Sequence, residues 1–172
     1  MASRGGAQPL TPWRWLGLPA LQAAGMTLLF LAPLRFWGYG LPEPVFALPV
    51  VFAWAVIRPS MLAPMGVMVL GLFLDLVWGS PTGLWPVCLL LPYGMVLAGR
   101  GMLAGQGRLM MWVWFGAATA VALGAGYIFT MFDTQNAPDP LTVGYQFLAT
   151  VILYPFADRL IERFEDADVR FR

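Results

Sequence analysis

The chain has 172 residues, 59% hydrophobic and 11% charged, with a formal net charge of +1. Soluble domains carry about 25% charged residues, so this chain cannot clothe a water-facing surface at that density, and it lacks the basic face that a nucleic-acid binder needs. It holds no His, no Lys and a single Cys, which removes the commonest general base and metal ligand and any internal disulfide.

A helix needs about 20 mostly apolar residues to cross the hydrocarbon core of a bilayer, fewer where the bilayer thins. Residues 1–14 read as a tail, and six apolar stretches follow in residues 15–160. The first runs from about Trp15 to Trp37. It is too long for a signal-peptide core and shows no small-x-small cleavage site, so it reads as a retained helix. The second, from about Pro42 to Ile57, and the fourth, from about Leu84 to Ala98, are short. Each holds two prolines, Pro44 with Pro49 and Pro86 with Pro92. Proline inside a helix removes a backbone hydrogen bond, so kinked or tilted helices are predicted there, with a re-entrant pair as the alternative. The third stretch covers roughly Met61 to Trp78, the fifth Leu109 to Met131 and the sixth Leu141 to Leu160. Residues 161–172 read as a second tail. The architecture predicted is an all-α six-helix membrane bundle in one domain.

The arginines test this map independently, because short cytoplasmic loops collect basic residues. With the N-terminus inside, Arg4, Arg14, Arg58, Arg100, Arg108, Arg159, Arg163, Arg170 and Arg172 all fall on the inner side, and only Arg35 falls outside. Both termini are therefore predicted to be cytoplasmic. Five of the eight tryptophans sit near inner ends, while Trp37, Trp78 and Trp85 sit near outer ends, where an indole finds both apolar and polar surroundings.

Helices in lipid associate through small residues that allow close approach. The fifth stretch carries Gly116, Ala120 and Gly124 at a spacing of four, widened by Ala117, Ala118 and Gly126; the first carries Ala20 and Ala24. These read as docking faces, for a sibling helix or for a helix of another protein. Cys88 reads as a small apolar core residue.

Asp75 stands in an apolar run one turn before Gly79-Ser80-Pro81-Thr82-Gly83. A carboxylate at the bilayer centre costs about 2.5–3.5 kcal/mol on insertion scales, less near the interface. Asp75 can bond the backbone donors freed by the breakers, pair with Arg35, or face a water-filled cavity. It thus either fixes a tight outer turn or takes part in partner or ligand binding. Catalysis needs a second group within reach, and Glu43, Asp133 and Asp139 form no signature with Asp75. Ser3, Ser60 and Ser80 have no His to activate them, and there is no phosphate loop or metal set.

These residues together resemble the bacterial rod shape-determining protein MreD family over roughly residues 45–165. The similarity rests on Gly71-Leu72-Phe73-Leu74-Asp75 followed by Gly79-Ser80-Pro81-Thr82-Gly83. It extends to an apolar span ending at Ala98-Gly99-Arg100 and to Tyr154-Pro155-Phe156 before an arginine-bearing tail. The resemblance implies a non-catalytic, cofactor-free scaffold in the inner membrane. Its partners would be MreC, a single-span protein with a large periplasmic domain, and membrane lipid. MreB filaments, RodA and penicillin-binding protein 2 would belong to the same cell-elongation assembly, which supports peptidoglycan synthesis. It also implies a fold like the substrate-binding subunits of vitamin transporters.

Two alternatives remain at the sequence level. A substrate-binding subunit of a small-molecule transporter would line a polar pocket with Asp75, Glu43, Tyr39 and Gln146. A membrane enzyme or flippase would need several charged groups facing a cavity. The tail from Asp158 to Arg172 places Arg159, Glu162, Arg163 and Asp166 at spacings that allow helical ion pairs, so the last helix is predicted to run on, either as a solvated end or as a contact for MreB.

Overall fold

The computed structural model describes residues 13–31, 35–36, 39–40, 43–57, 60–103, 105–135 and 139–169. A π-helical turn, Trp13–Gly17, leads into α1 (Leu18–Leu31). Arg35–Phe36 and Tyr39–Gly40 then form a two-residue antiparallel pair, β1 and β2. Six helices follow: α2 (Ala47–Ile57), α3 (Leu62–Trp78), α4 (Leu84–Leu103), α5 (Arg108–Thr134), α6 (Pro140–Ile152) and α7 (Tyr154–Val169).

Leu84–Leu103, Arg108–Thr134 and the broken rod Pro140–Glu162 are long and apolar enough to cross a membrane; Trp15–Leu31, Ala47–Ile57 and Leu62–Trp78 are shorter apolar helices. The outward surface is studded with large apolar side chains such as Leu29, Leu76, Val113, Phe132 and Ile152. A surface of that kind suits lipid better than water.

The helices surround α2. It packs on α1, α3, α4, α5 and α7, and Ala47 through Ala55 are all buried. Its 11 residues span about 16 Å at 1.5 Å per residue, half a bilayer core. A helix apolar on every side has no face to give to water, so it occupies the centre. Phe52 meets Phe115 of α5 edge-on at a centroid distance of 5.3 Å. Lipid tails are as apolar as Leu, so this core is held by close packing and by its polar ends.

Both ends of α2 are tied by other helices. At its start, the Val45 amide donates to Thr150 Oγ1 (3.1 Å) and the Gln146 side chain donates to the Glu43 carbonyl (3.1 Å). At its end, Arg100 Nη2 donates to the Ile57 carbonyl (3.1 Å). Side chains of α6 thus satisfy the lead-in to α2, and α4 meets a carbonyl that the end of α2 leaves open.

Several sequence expectations change. Pro49 and Pro86 sit in the first turns of α2 and α4, where no intrahelical acceptor awaits their missing N–H. Of the four prolines in these two stretches, Pro92 lies inside its helix. The fourth stretch is a full 20-residue helix that ends at Leu103 rather than near Ala98. The first helix ends at Leu31, ahead of the β1–β2 pair, and not at Trp37.

The sixth stretch breaks at Leu153 between α6 and α7. Pro155 has no N–H to offer the Val151 carbonyl four residues back, and Trp112 Nε1 of α5 donates to that oxygen instead (3.2 Å). The helix then runs on through α7, as its tail predicts, but Glu162 pairs across to Arg108. The side chains of Arg163 and Asp166 lie outside the described residues.

Candidate functional site

Three places bring the predicted residues into play: the turn at Asp75, the outward face of α5 and the opposite end at Arg100. Asp75 is buried, with 3% of its surface exposed. Its Oδ2 accepts from the Gly83 amide at 2.7 Å and its Oδ1 from the Trp85 amide at 2.9 Å. Its backbone carbonyl accepts from the amides of Gly79 and of Ser80, the latter at 3.0 Å. One residue of α3 therefore closes its own helix and caps the next. Gly83 starts α4, since the Val87 amide bonds its carbonyl. The carboxylate thus satisfies two free donors there and complements the positive end of the helix dipole.

The breakers make this possible. Gly79 at φ +62° and Gly83 at φ +102° occupy the left-handed region, which only glycine enters without strain. Between them Pro81 offers its carbonyl to the Leu84 amide (3.1 Å). Of the readings open for Asp75, the geometry supports the fixed turn. The Arg35 side chain lies outside the described residues.

Polar neighbours of the turn are also committed. Glu43 Oε2 accepts from Trp78 Nε1 at 3.0 Å, and Trp78 packs on Trp85 with centroids 4.6 Å apart. Gln146 reaches the Glu43 carbonyl, and Thr150 Oγ1 donates to the Gln146 carbonyl (2.7 Å). Tyr39 has no described side chain. Among the described residues no three His, Cys, Asp or Glu side chains converge to hold a metal ion. The sequence groups Glu43 and Gln146 only as the lining of a transporter pocket; the structure makes them, with Thr150 and Trp78, a set of bonds within the bundle.

On α5 the small residues split between two faces. Ala118 and Ala122 are buried, and a Cβ at Gly126 would lie 3.6 Å from Cys88 Sγ of α4. The bundle uses this row, at a spacing of four. Gly116, Ala120 and Gly124 form the other row. Nothing lies within 4 Å of a Cβ built on either glycine, and Ala120 is exposed. Ala20 and Ala24 of α1 border an apolar groove of about 500 Å³ against Met65, Gly66 and Val69 of α3.

At the opposite end, Arg100 holds α2 as described, and Tyr154 packs between Trp112 and Phe115. The Tyr154 hydroxyl donates to Asp158 Oδ1 (3.3 Å). Arg108 bridges Asp158 (2.9 Å) and Glu162 (2.6 Å). Tyr154, Pro155 and Arg100 therefore act as joints between helices.

Asp139 is the N-cap of α6, accepting from the Leu141 and Thr142 amides and the Thr142 hydroxyl. The Thr142 hydroxyl bond, followed by the Leu141 amide bond, holds its carboxyl below the ordinary carboxylate range. A lowered folded-state pKa stabilises the fold while the group is ionised, and that contribution is lost as pH falls below about 4 and through the folded pKa. After correction for intrinsic rates, exchange of the Leu141 and Thr142 amides should therefore quicken in acid, and Asp139→Asn should flatten that pH dependence. Identical profiles for both proteins would remove the carboxylate from the cap.

The chain matches no protein-family model, no curated protein and no solved structure.

Proposed function

We propose that this chain is a non-catalytic platform in the bacterial cytoplasmic membrane that binds the membrane helix of MreC within the cell-elongation assembly. In this reading it spans the membrane six times with both termini in the cytosol, and MreB, RodA and penicillin-binding protein 2 work in the same complex. The sequence resemblance names the assembly. The observation that carries the binding role is the open row Gly116, Ala120 and Gly124 on α5, across the helix from a second row that the bundle already uses. Small residues facing outward forgo contacts with large side chains but let another backbone approach closely.

The committed polar groups favour this reading over a transporter subunit. Both Asp75 oxygens are taken by backbone amides, and Glu43 and Gln146 bond within the bundle. A small-molecule site would need such groups free to grip a ligand.

Gly124→Leu and Ala120→Leu test the surface. Each adds bulk where the chain itself has space, so the purified protein should keep its thermal midpoint. Co-purification with MreC from native membranes should fall about tenfold or more for each, the effect of about 1.4 kcal/mol. Wild-type recovery of MreC with both variants would remove this face from the interaction.

A further inference from the structure

The end of the bundle opposite Asp75 holds a pocket of about 430 Å³ between the α4–α5 connection and α7. Arg100, Arg108, Asp158 and Glu162 line it, with Leu103 and Met111 among its apolar walls. Arg100 lies in the last turn of α4 and Arg108 begins α5. Both helices are long and apolar enough to cross a membrane, so the pocket sits where they leave the apolar layer. Met110 and Val113, close to it on α5, are exposed apolar side chains.

Two guanidinium groups face two carboxylates, so an anionic ligand would meet both acids and a cationic one both arginines. A ligand with one charge of each sign meets neither penalty. The groups are also available. Arg100 spends Nη2 on the Ile57 carbonyl, and a guanidinium has five N–H donors. Glu162 gives Oε1 to Arg108 and retains a second oxygen, and these two side chains are 55% and 70% exposed. A pair so exposed is weakly held and can open to share its charges.

We propose that this pocket binds the headgroup of a zwitterionic phospholipid with a primary ammonium, as in phosphatidylethanolamine. The phosphate lies against Arg100, the ammonium donates to the second oxygen of Glu162 with the Asp158 charge beside it, and the acyl chains run along α5. Carboxylate acceptors call for N–H donors, which a quaternary choline lacks.

Native mass spectrometry of the full chain, with phosphatidylethanolamine, phosphatidylcholine or phosphatidylglycerol added to the detergent, tests this. Phosphatidylethanolamine should be retained about fivefold better than either other lipid, the effect of one net charge-assisted hydrogen bond. Glu162→Gln leaves the pocket one positive charge in excess, so it should lose that preference and gain phosphatidylglycerol. Asp158→Asn makes the same change one turn earlier, which keeps the test open if one variant folds poorly. Equal retention of the three lipids, or an unchanged preference in both variants, would overturn the proposal. Competition by soluble glycerophosphoethanolamine as strong as by the lipid would move the ligand out of the membrane and overturn it as well.

Discussion

Asp75→Ala is expected to lower the unfolding free energy of the purified protein by about 3 kcal/mol, a large part of a typical stability margin. The carboxylate meets two amides, and alanine leaves both without a partner. Trp85 is buried, so its amide cannot recover a bond from water; Gly83 is half-buried and recovers part of one. Asp75→Asn keeps one acceptor oxygen but turns an amide donor toward a backbone donor, and should cost roughly half as much. Neither change adds charge to the membrane, so both variants should reach it in wild-type amounts. Reversible unfolding in mixed micelles gives the magnitudes, and hydrogen exchange at Gly83 and Trp85 gives the location. Wild-type stability of Asp75→Asn, with unchanged exchange at those two amides, would show that the carboxylate does not hold the turn.

The Asp75 turn was legible because its chemistry is local. The acid, two glycines and a proline lie within nine positions, and an acid in an apolar run has few ways to be satisfied. Hydropathy likewise gave the six helical stretches to within a few residues at most ends. It failed at α1, where an aromatic-rich, apolar segment after Leu31 looks like helix but includes the extended β1–β2 pair. It failed also at Leu153, where Pro155 leaves the Val151 carbonyl open and Trp112, 39 positions away, donates to it.

The packing faces were not legible, for a reason specific to lipid. In water, the buried side of a helix announces itself by polarity on the other side. On α5 the rows 116, 120, 124 and 118, 122, 126 have the same spacing and similar residues, and lipid and protein interior are equally apolar. Only the tertiary arrangement assigns the second row to α4. The central place of α2 was readable in principle, since a helix apolar on every side has no face to give to water. Two prolines in so short a stretch predict a kink, but Pro49 lies in the first turn of α2, where it causes none. Arg108 meets Glu162 across 54 positions and Asp158 one turn before it, contacts that charge spacing along α7 cannot reveal.

The same turn predicts a second large effect at a residue that bears no charge. A Cβ on Gly71 would lie 2.5 Å from both Cα and N of Pro86 and 2.9 Å from its Cδ. The obstacle is backbone in the first turn of α4, so no rotamer change relieves it. To regain ordinary contact, α3 and α4 must separate by about 1 Å. Gly71 and Asp75 are one turn apart on α3, and the same displacement stretches the bonds to Gly83 and Trp85 beyond hydrogen-bonding range. Gly71→Ala therefore combines overpacking, about 1–3 kcal/mol, with loss of much of what Asp75 contributes. Its expected cost is about 3–5 kcal/mol. A double-mutant cycle separates the two parts. If Gly71 acts by keeping Asp75 in reach, Gly71→Ala with Asp75→Ala will cost less than the sum of the single changes by 1 kcal/mol or more. Strict additivity would mean that the close approach and the carboxylate cap are independent features of the interface. Wild-type stability of Gly71→Ala would mean that the helices do not approach this closely at all.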